Sequence, residues 1–305
     1  VRKYLPWFTP QHNGQDVLRE AITIANLIYQ TSGFTNDETK YPRAQPEMTR
    51  EEHIRALAQR HLQFYPSVQF AYANANYNTL GLLIEVISGQ SYEYFMTATI
   101  LRPLGLRNTY VNPDLAAQTG AVARGQRLSF FGTWPYDVPI SPASLPSGHI
   151  ISNARDMSRW LQIQLGLVEI SPQMTRIIDK SHQADEEHRA SSTARYGCGW
   201  FVRDDGIIYH SGGTPNYSAK VSMAPADRLA VCVLTNINAS ANTNAMADNI
   251  LNILQGKAPL PYQGDIWVTI DGIFTVMTAV CLILALFAVI ALCRMKGQIR
   301  AGQRQ

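Results

Sequence analysis

From Gly272 to Cys293 the chain runs GIFTVMTAVCLILALFAVIALC, 22 residues without a charged side chain. At about 1.5 Å of rise per residue, such a run covers about 30 Å as a helix, the thickness of a bilayer's hydrocarbon core. A core helix is seldom apolar on every face over that length, so residues 272–293 read as one transmembrane helix. Trp267 and Tyr262 fall where an interfacial aromatic belt would lie, and Asp265 and Asp271 sit just ahead of the run. Behind it come Arg294, Lys296, Arg300 and Arg304 with no acid. The positive-inside bias therefore places the tail, residues 294–305, in the cytoplasm and residues 1–262 outside it.

That tail also explains the net charge. The chain holds 26 Lys and Arg against 23 Asp and Glu, and setting aside the four tail cations leaves the rest almost neutral. Nothing here argues for a nucleic-acid partner. The chain opens at Val1 without a basic start and apolar run, so no signal peptide is visible, and the expectation is that an N-terminal part has been lost. Cys281 and Cys293 belong to the span. Cys198 and Cys232, in strand-like runs, read as two small buried hydrophobes rather than a disulfide or metal pair.

Periodicity divides the remainder. TREEHIRALAQRHL opens with the capping box Thr49 to Glu52. In FAYANANYNTLGLLIEVISGQ, Leu80, Leu83, Ile84 and Ile87 recur at helical spacing, Asn74 or Asn76 offers an N-cap, and Ser88-Gly89 a stop. Helices also start at Ser91, at Ser152 or Asn153, and at Ser171-Pro172. From Tyr196 the period changes. YGCGWFVR, GIIYHSGG, YSAKVSMAP and LAVCVLTNI read as short antiparallel strands separated by Asp-Gly, Gly-Gly and Pro-Ala-Asp turns, and NTNAMADNILNILQG returns as a helix. Helices followed by a sheet and a closing helix make an α+β arrangement. The stretch from Ala117 to Gly148 reads as a long irregular connection.

No G-x-S-x-G elbow, H-E-x-x-H, P-loop or G-x-G-x-x-G occurs. HQADEEH, His182 to His188, holds metal-ligand residue types but reads as a solvated loop, and no metal or cofactor is expected. What remains is an ordered series: Tyr72-Ala73-Asn74, PSGHIISNARDM, YGCGW, HSGGTPNYSA and PADRLAVCVLTN. In this order the motifs resemble the serine β-lactamase and penicillin-binding-protein superfamily, specifically its class C-like branch of D-Ala-D-Ala carboxypeptidases and related hydrolases, over essentially residues 1–256. Each motif alone has a plainer explanation: Tyr72 a packing residue, Asn74 a helix cap, Ser-Gly-Gly a tight turn.

The resemblance implies a β-lactamase/transpeptidase-like fold and assigns roles. Tyr72 and Asn74 match Y-x-N, and His210, Ser211 and Gly212 match H-x-G. Tyr72 would shuttle a proton, which calls for nearby cations to lower its phenol below the usual value of about 10. Asn74 would bind a substrate amide, and His210 would assist Tyr72 or a substrate carboxylate. Gly213 would lend its N–H to an oxyanion hole and let substrate come close to the strand, where Ser211 and Gly212 also bind. The implied substrate is a D-alanyl peptide, a β-lactam or a small ester.

One departure is large: no S-x-x-K occurs in the 305 residues. The resemblance places that motif upstream of Val1, so the nucleophile, its lysine and half of the oxyanion hole are expected to be absent from this chain. Ser32, Ser147 and Ser211 sit in turn-like contexts without an activating lysine. A strand edge would also be left uncovered. Two readings follow: a membrane-anchored serine hydrolase that works by an acyl-enzyme route but is inactive as this chain, or a catalytically dead penicillin-recognition fold used as a surface binding or sensing module.

Overall fold

Helix starts are written locally in this chain. Thr23 and Thr49 each cap a helix with a reciprocal capping box, giving α1 (Ile24–Ile28) and α2 (Arg50–Ala58). Then come α3 (Asn74–Ser88) and α4 (Tyr92–Met96), which runs on into one π-helical turn, Thr97–Leu101. Asn112 caps α5 (Pro113–Gln118), Asn153 caps α6 (Ala154–Gln164) and Ser171 caps α7 (Pro172–Ser181). Two strands, β1 (Gln126–Ser129) and β2 (Gly132–Pro135), form a small hairpin between α5 and α6. The main sheet holds β3 (Ala194–Tyr196), β4 (Phe201–Arg203), β5 (Ile208–Thr214), β6 (Tyr217–Ala224) and β7 (Leu229–Thr235), antiparallel throughout and in chain order. It is followed by α8 (Ser240–Leu254) and the long α9 (Ile266–Gly302). This computed structural model describes residues 1–12, 22–37, 39–40, 43–261 and 264–302, so Tyr262 and Arg304 of the sequence reading lie outside the described residues, as does the Arg300 side chain.

Four apolar clusters assemble these parts. Leu27, Phe34, Ile54, Leu82 and Leu83 join α1 to α3, while Leu101, Leu104, Ile163 and Ile178 join the π turn to α6 and α7. The sheet buries both faces, Val231 and Val233 against Ala247 and Leu251 of α8, and Ile208 and Met223 against Leu161 of α6. A buried ion cluster ties the helical part together. The Arg50 guanidinium reaches both Glu85 and Glu93 and donates to the Pro142 carbonyl at 2.8 Å. Gly81 of α3 makes room for Pro146 of the 3-10 helix Pro142–Ser147; a Cβ on Gly81 would lie 2.2 Å from the proline ring.

Several expectations are corrected. YGCGWFVR is not one strand but the hairpin β3–β4, because Gly197 N–H donates to the Trp200 carbonyl at 2.7 Å and Gly199 turns the chain at φ +85°. Gly212-Gly213 is no turn: both lie inside β5, opposite Ala219 and Ser218, and Pro215-Asn216 makes the turn. The long connection carries β1, β2 and the 3-10 helix. HQADEEH is held rather than merely solvated, since His188 bonds Asp185 at 2.7 Å and the Ser67 carbonyl at 2.9 Å, and His182 bonds Gln164 at 2.8 Å. Cys198 and Cys232 are free thiols as expected, but half-buried rather than buried. One edge of β7 has no strand partner among the described residues.

α9 exposes Phe274, Leu282, Leu286 and Phe287 to the surroundings, and Ile266–Gln298 is long and apolar enough to cross a membrane.

Candidate active site

The strand β5 outruns its neighbour. β4 pairs with it only at Ile208 and Tyr209, so from His210 to Thr214 the side of β5 away from β6 has no strand partner among the described residues. An unpaired stretch of edge presents free backbone groups to a ligand. His210 stands where the pairing stops. Its Nδ1 lies 2.8 Å from the Ser211 carbonyl, which can only accept, so Nδ1 carries the proton and Nε2 is the acceptor nitrogen. Burial pushes the imidazole below its ordinary value, which favours the neutral ring.

Tyr72 faces His210 from the extended segment that leads into α3, their ring centroids 6.0 Å apart. Tyr196 and Phe201 complete the wall, 6.1 and 6.4 Å from the Tyr72 ring. Among the described residues the Tyr72 hydroxyl takes no hydrogen-bond partner. Within this chain burial pushes the phenol up, and no cation among the described residues acts on it. Burial pushes Tyr77 and Tyr196 up too, with the Tyr196 hydroxyl adding to the rise at Tyr77 and the Tyr72 hydroxyl to that at Tyr196.

The asparagines divide their labour differently from the sequence reading. Ala73 is the N-cap position of α3 and its methyl cannot accept a hydrogen bond, so neither Asn74 nor Asn76 is the cap. Asn36 does that work from another loop, accepting the Asn74 N–H at 2.9 Å. Asn74 is the exposed first residue of the helix, with its amide free to meet a ligand. Asn76 is fully buried, accepting from Ser32 Oγ at 2.6 Å and donating to Gln30 Oε1, which also takes the Ala73 N–H at 3.0 Å. Gln30 itself sits at φ +61° with no exposure. This buried network fixes the turn that presents Tyr72. Its partners lie more than forty residues apart in sequence, and no local pattern announces them.

The two glycines of β5 are not equivalent. A Cβ on Gly212 would meet nothing within 4 Å, whereas one on Gly213 would lie 2.6 Å from Ser240 Oγ at the start of α8. Gly212 therefore leaves the open side of the edge clear, and the lack of a side chain on Gly213 serves packing. Strand alternation puts the Ser211 side chain on the α8 face beside Lys220, whose ammonium pairs with Asp248 of α8 at 2.7 Å. Ser211 thus offers the edge its backbone. It lies in a strand, not a turn. Ser32 is locked by Asn76, and Ser147 Oγ donates to the Ser144 carbonyl at 2.9 Å. No group of three His, Cys, Asp or Glu side chains converges among the described residues.

A helical layer against an antiparallel sheet, with Tyr-x-Asn at a helix start facing a half-open strand, is the β-lactamase/transpeptidase-like fold. The Beta-lactamase family model matches residues 1–255, and the chain belongs to that family. It is 27% identical over 253 residues to Protein flp of Staphylococcus aureus (strain COL), covering 78% of this chain and 47% of that protein. The D-alanyl-D-alanine-carboxypeptidase/endopeptidase AmpH of Escherichia coli (strain K12) is 25% identical over 285 residues, 82% of this chain and 67% of that one. The chain thus spans about half the length of the flp proteins it matches. Among solved structures, a class C beta-lactamase superposes with a TM-score of 0.68 at 18% identity, covering 83% of this chain and 74% of that chain. The octameric penicillin-binding protein homologue from Pyrococcus abyssi gives 0.65 at 24% identity, covering 83% and 58%.

Proposed function

We propose that this chain carries the tyrosine-and-edge-strand half of a membrane-anchored serine hydrolase that acts by an acyl-enzyme route on D-alanyl peptides, β-lactams or small esters. The observation that carries the reading is the Tyr72 ring set 6.0 Å from His210, where β5 loses its partner strand. In this reading the Tyr72 phenol relays the proton between nucleophile and leaving group, and Asn74 binds a substrate amide. His210 Nε2 receives a hydrogen bond from substrate or from Tyr72. The Gly213 N–H stabilises the oxyanion, and the backbone of Ser211 with the clear side of Gly212 seats the substrate.

The nucleophile and its lysine belong to sequence upstream of Val1. The buried phenol supports that division: burial without a cation raises Tyr72, and a lysine at S-x-x-K spacing from a serine would supply the missing charge. Residues 1–262 form the extracytoplasmic domain, 272–293 the transmembrane helix and 294–305 the cytoplasmic tail. The same lone phenol also supports the second reading, a binding or sensing module without chemistry.

Labelling with a fluorescent penicillin separates them. This chain should form no covalent adduct, and the protein extended upstream through an S-x-x-K should form one. An adduct on any serine of residues 1–305 would overturn the placement of the nucleophile. Failure of the extended protein to label penicillin or cleave D-alanyl peptides or esters would leave the binding module.

A further inference from the structure

The β1–β2 hairpin is built in a way its own sequence resists. Its register closes on Ser129 and Gly132, so the two-residue loop is Phe130-Phe131, at φ +52° and +58°. Such loops favour Asn-Gly, and left-handed backbone costs a residue with a Cβ about 1–2 kcal/mol. Strain of this kind persists only where the surroundings impose it. Here the Asp271 carboxylate accepts both loop N–H groups, Phe130 on Oδ1 and Phe131 on Oδ2, each at 2.9 Å. Asp271 is the residue immediately before the uncharged run of α9, and Gly272 gives the Phe131 ring its place: a Cβ there would lie 3.2 Å from it.

The outcome is an exposed aromatic tip. Phe130 is 60% exposed, Phe131 66% and Trp134 57%, and the Trp134 indole N–H donates back to the Ser129 carbonyl at 2.9 Å. The base of the same hairpin is fastened to the β5–β6 turn, the start of β6 and the end of β7. Tyr217 Oη donates to the Ala123 carbonyl at 2.6 Å, Asn216 Nδ2 to the Tyr136 carbonyl at 2.8 Å, and Asn236 Nδ2 to the Arg124 carbonyl at 2.9 Å.

We propose that this hairpin is a second membrane contact, its Phe130, Phe131 and Trp134 seated in the headgroup and upper acyl region of the bilayer beside α9. The inference rests on the reading of α9 as a membrane span. An apolar ring with a polar handle suits the interface, and a tip tied to the first residue before the hydrocarbon run lies at that depth. The contact turns a tether into a strut. The four residues of β1, at about 3.3 Å each, set the β5–β6 turn, where the open edge of β5 ends, roughly 13 Å from the bilayer surface along the hairpin. Substrate would then be met close to the membrane.

The test uses the full chain in phosphatidylcholine nanodiscs, with Trp134 emission taken as the difference between wild type and Trp134→Phe. Lipids brominated just below the headgroup should quench that emission at least about twofold, and aqueous iodide should leave it unchanged. Phe130→Ser with Phe131→Ser should reverse the pattern without lowering the melting temperature. Quenching by iodide alone would place the tip in water and overturn the proposal. Quenching by neither would mean that protein covers it, and would overturn it equally. A Phe287→Trp reporter in mid-helix keeps the two ideas apart: unquenched by mid-chain bromolipid, it would remove the membrane reading and this proposal with it, whereas a quenched reporter beside a wet Trp134 would remove the proposal alone.

Discussion

Tyr72 and His210 meet ring to ring at 6.0 Å with an interplanar angle of 48°, one from the approach to α3 and the other from β5, 138 positions later in the chain. The contact leaves the Tyr72 hydroxyl without a partner, so Tyr72→Phe removes no hydrogen bond and keeps every ring contact. The melting temperature should stay within error of wild type. In a protein that also carries S-x-x-K, kcat/KM should fall by about 10²-fold or more, because the relay is lost while packing is kept. Unchanged turnover would make Tyr72 a packing residue.

Acid should weaken the domain. Burial holds His53, His182 and His210 below the ordinary 6.5, and burial together with Arg43 does so for His149. Between the depressed folded value and 6.5 the unfolded chain binds more protons, so stability rises with pH there. Each group's contribution is complete above 6.5 and is lost as pH falls through its folded value, at no more than about 1.4 kcal/mol per pH unit. His188 has the opposite sign: burial lowers it, but Asp185 and the Ser67 carbonyl outweigh this and raise it, so its contribution fades as pH rises. Thermal melts between about pH 5 and 7.5 should show net loss on the acid side, and His210→Gln should flatten the slope. A slope unchanged by the substitution would mean that His210 titrates as it does in the unfolded chain.

Arg50 is a buried cation of the helical part, held between Glu85 and Glu93 with its stem beside Gly81. Arg50→Met keeps the apolar stem and strands two half-buried carboxylates, which should cost about 3 kcal/mol or more in urea unfolding. Adding Glu85→Gln and Glu93→Gln should restore part of that loss. If the single substitution proves neutral, solvent already satisfies both carboxylates.

Local chemistry made most helices legible. Thr49 and Glu52 close their own capping box, and Pro172 opens its own helix, with no help from distant residues. The site was legible as residue types but not as geometry. Gly212-Gly213 read as a turn because glycine pairs usually are one, and only the partners Ala219 and Ser218 on β6 make them strand. Asn76 looked like a cap because its true partners, Gln30 and Ser32, are remote in sequence. Phe130-Phe131 was invisible as a turn, since its left-handed backbone runs against local preference and depends on Asp271, 140 positions on.

Gly212 and Gly213 give a paired test of which side of β5 receives substrate. Gly213→Ala directs a methyl at Ser240 Oγ, 2.6 Å away, so the start of α8 must shift and the domain should lose about 1–3 kcal/mol. Ser240→Gly in the same chain removes the obstructing hydroxyl and should recover most of that loss, which marks the effect as packing. Gly212→Ala meets no atom within 4 Å and should leave the melting temperature within error. Its methyl occupies the clear side of the edge. In a protein carrying S-x-x-K, acylation by penicillin should therefore slow by about tenfold or more, as a misplacement of the carbonyl by a fraction of an ångström does. Equal acylation rates for wild type and Gly212→Ala would move the substrate to another face of the sheet and leave both glycines as packing residues.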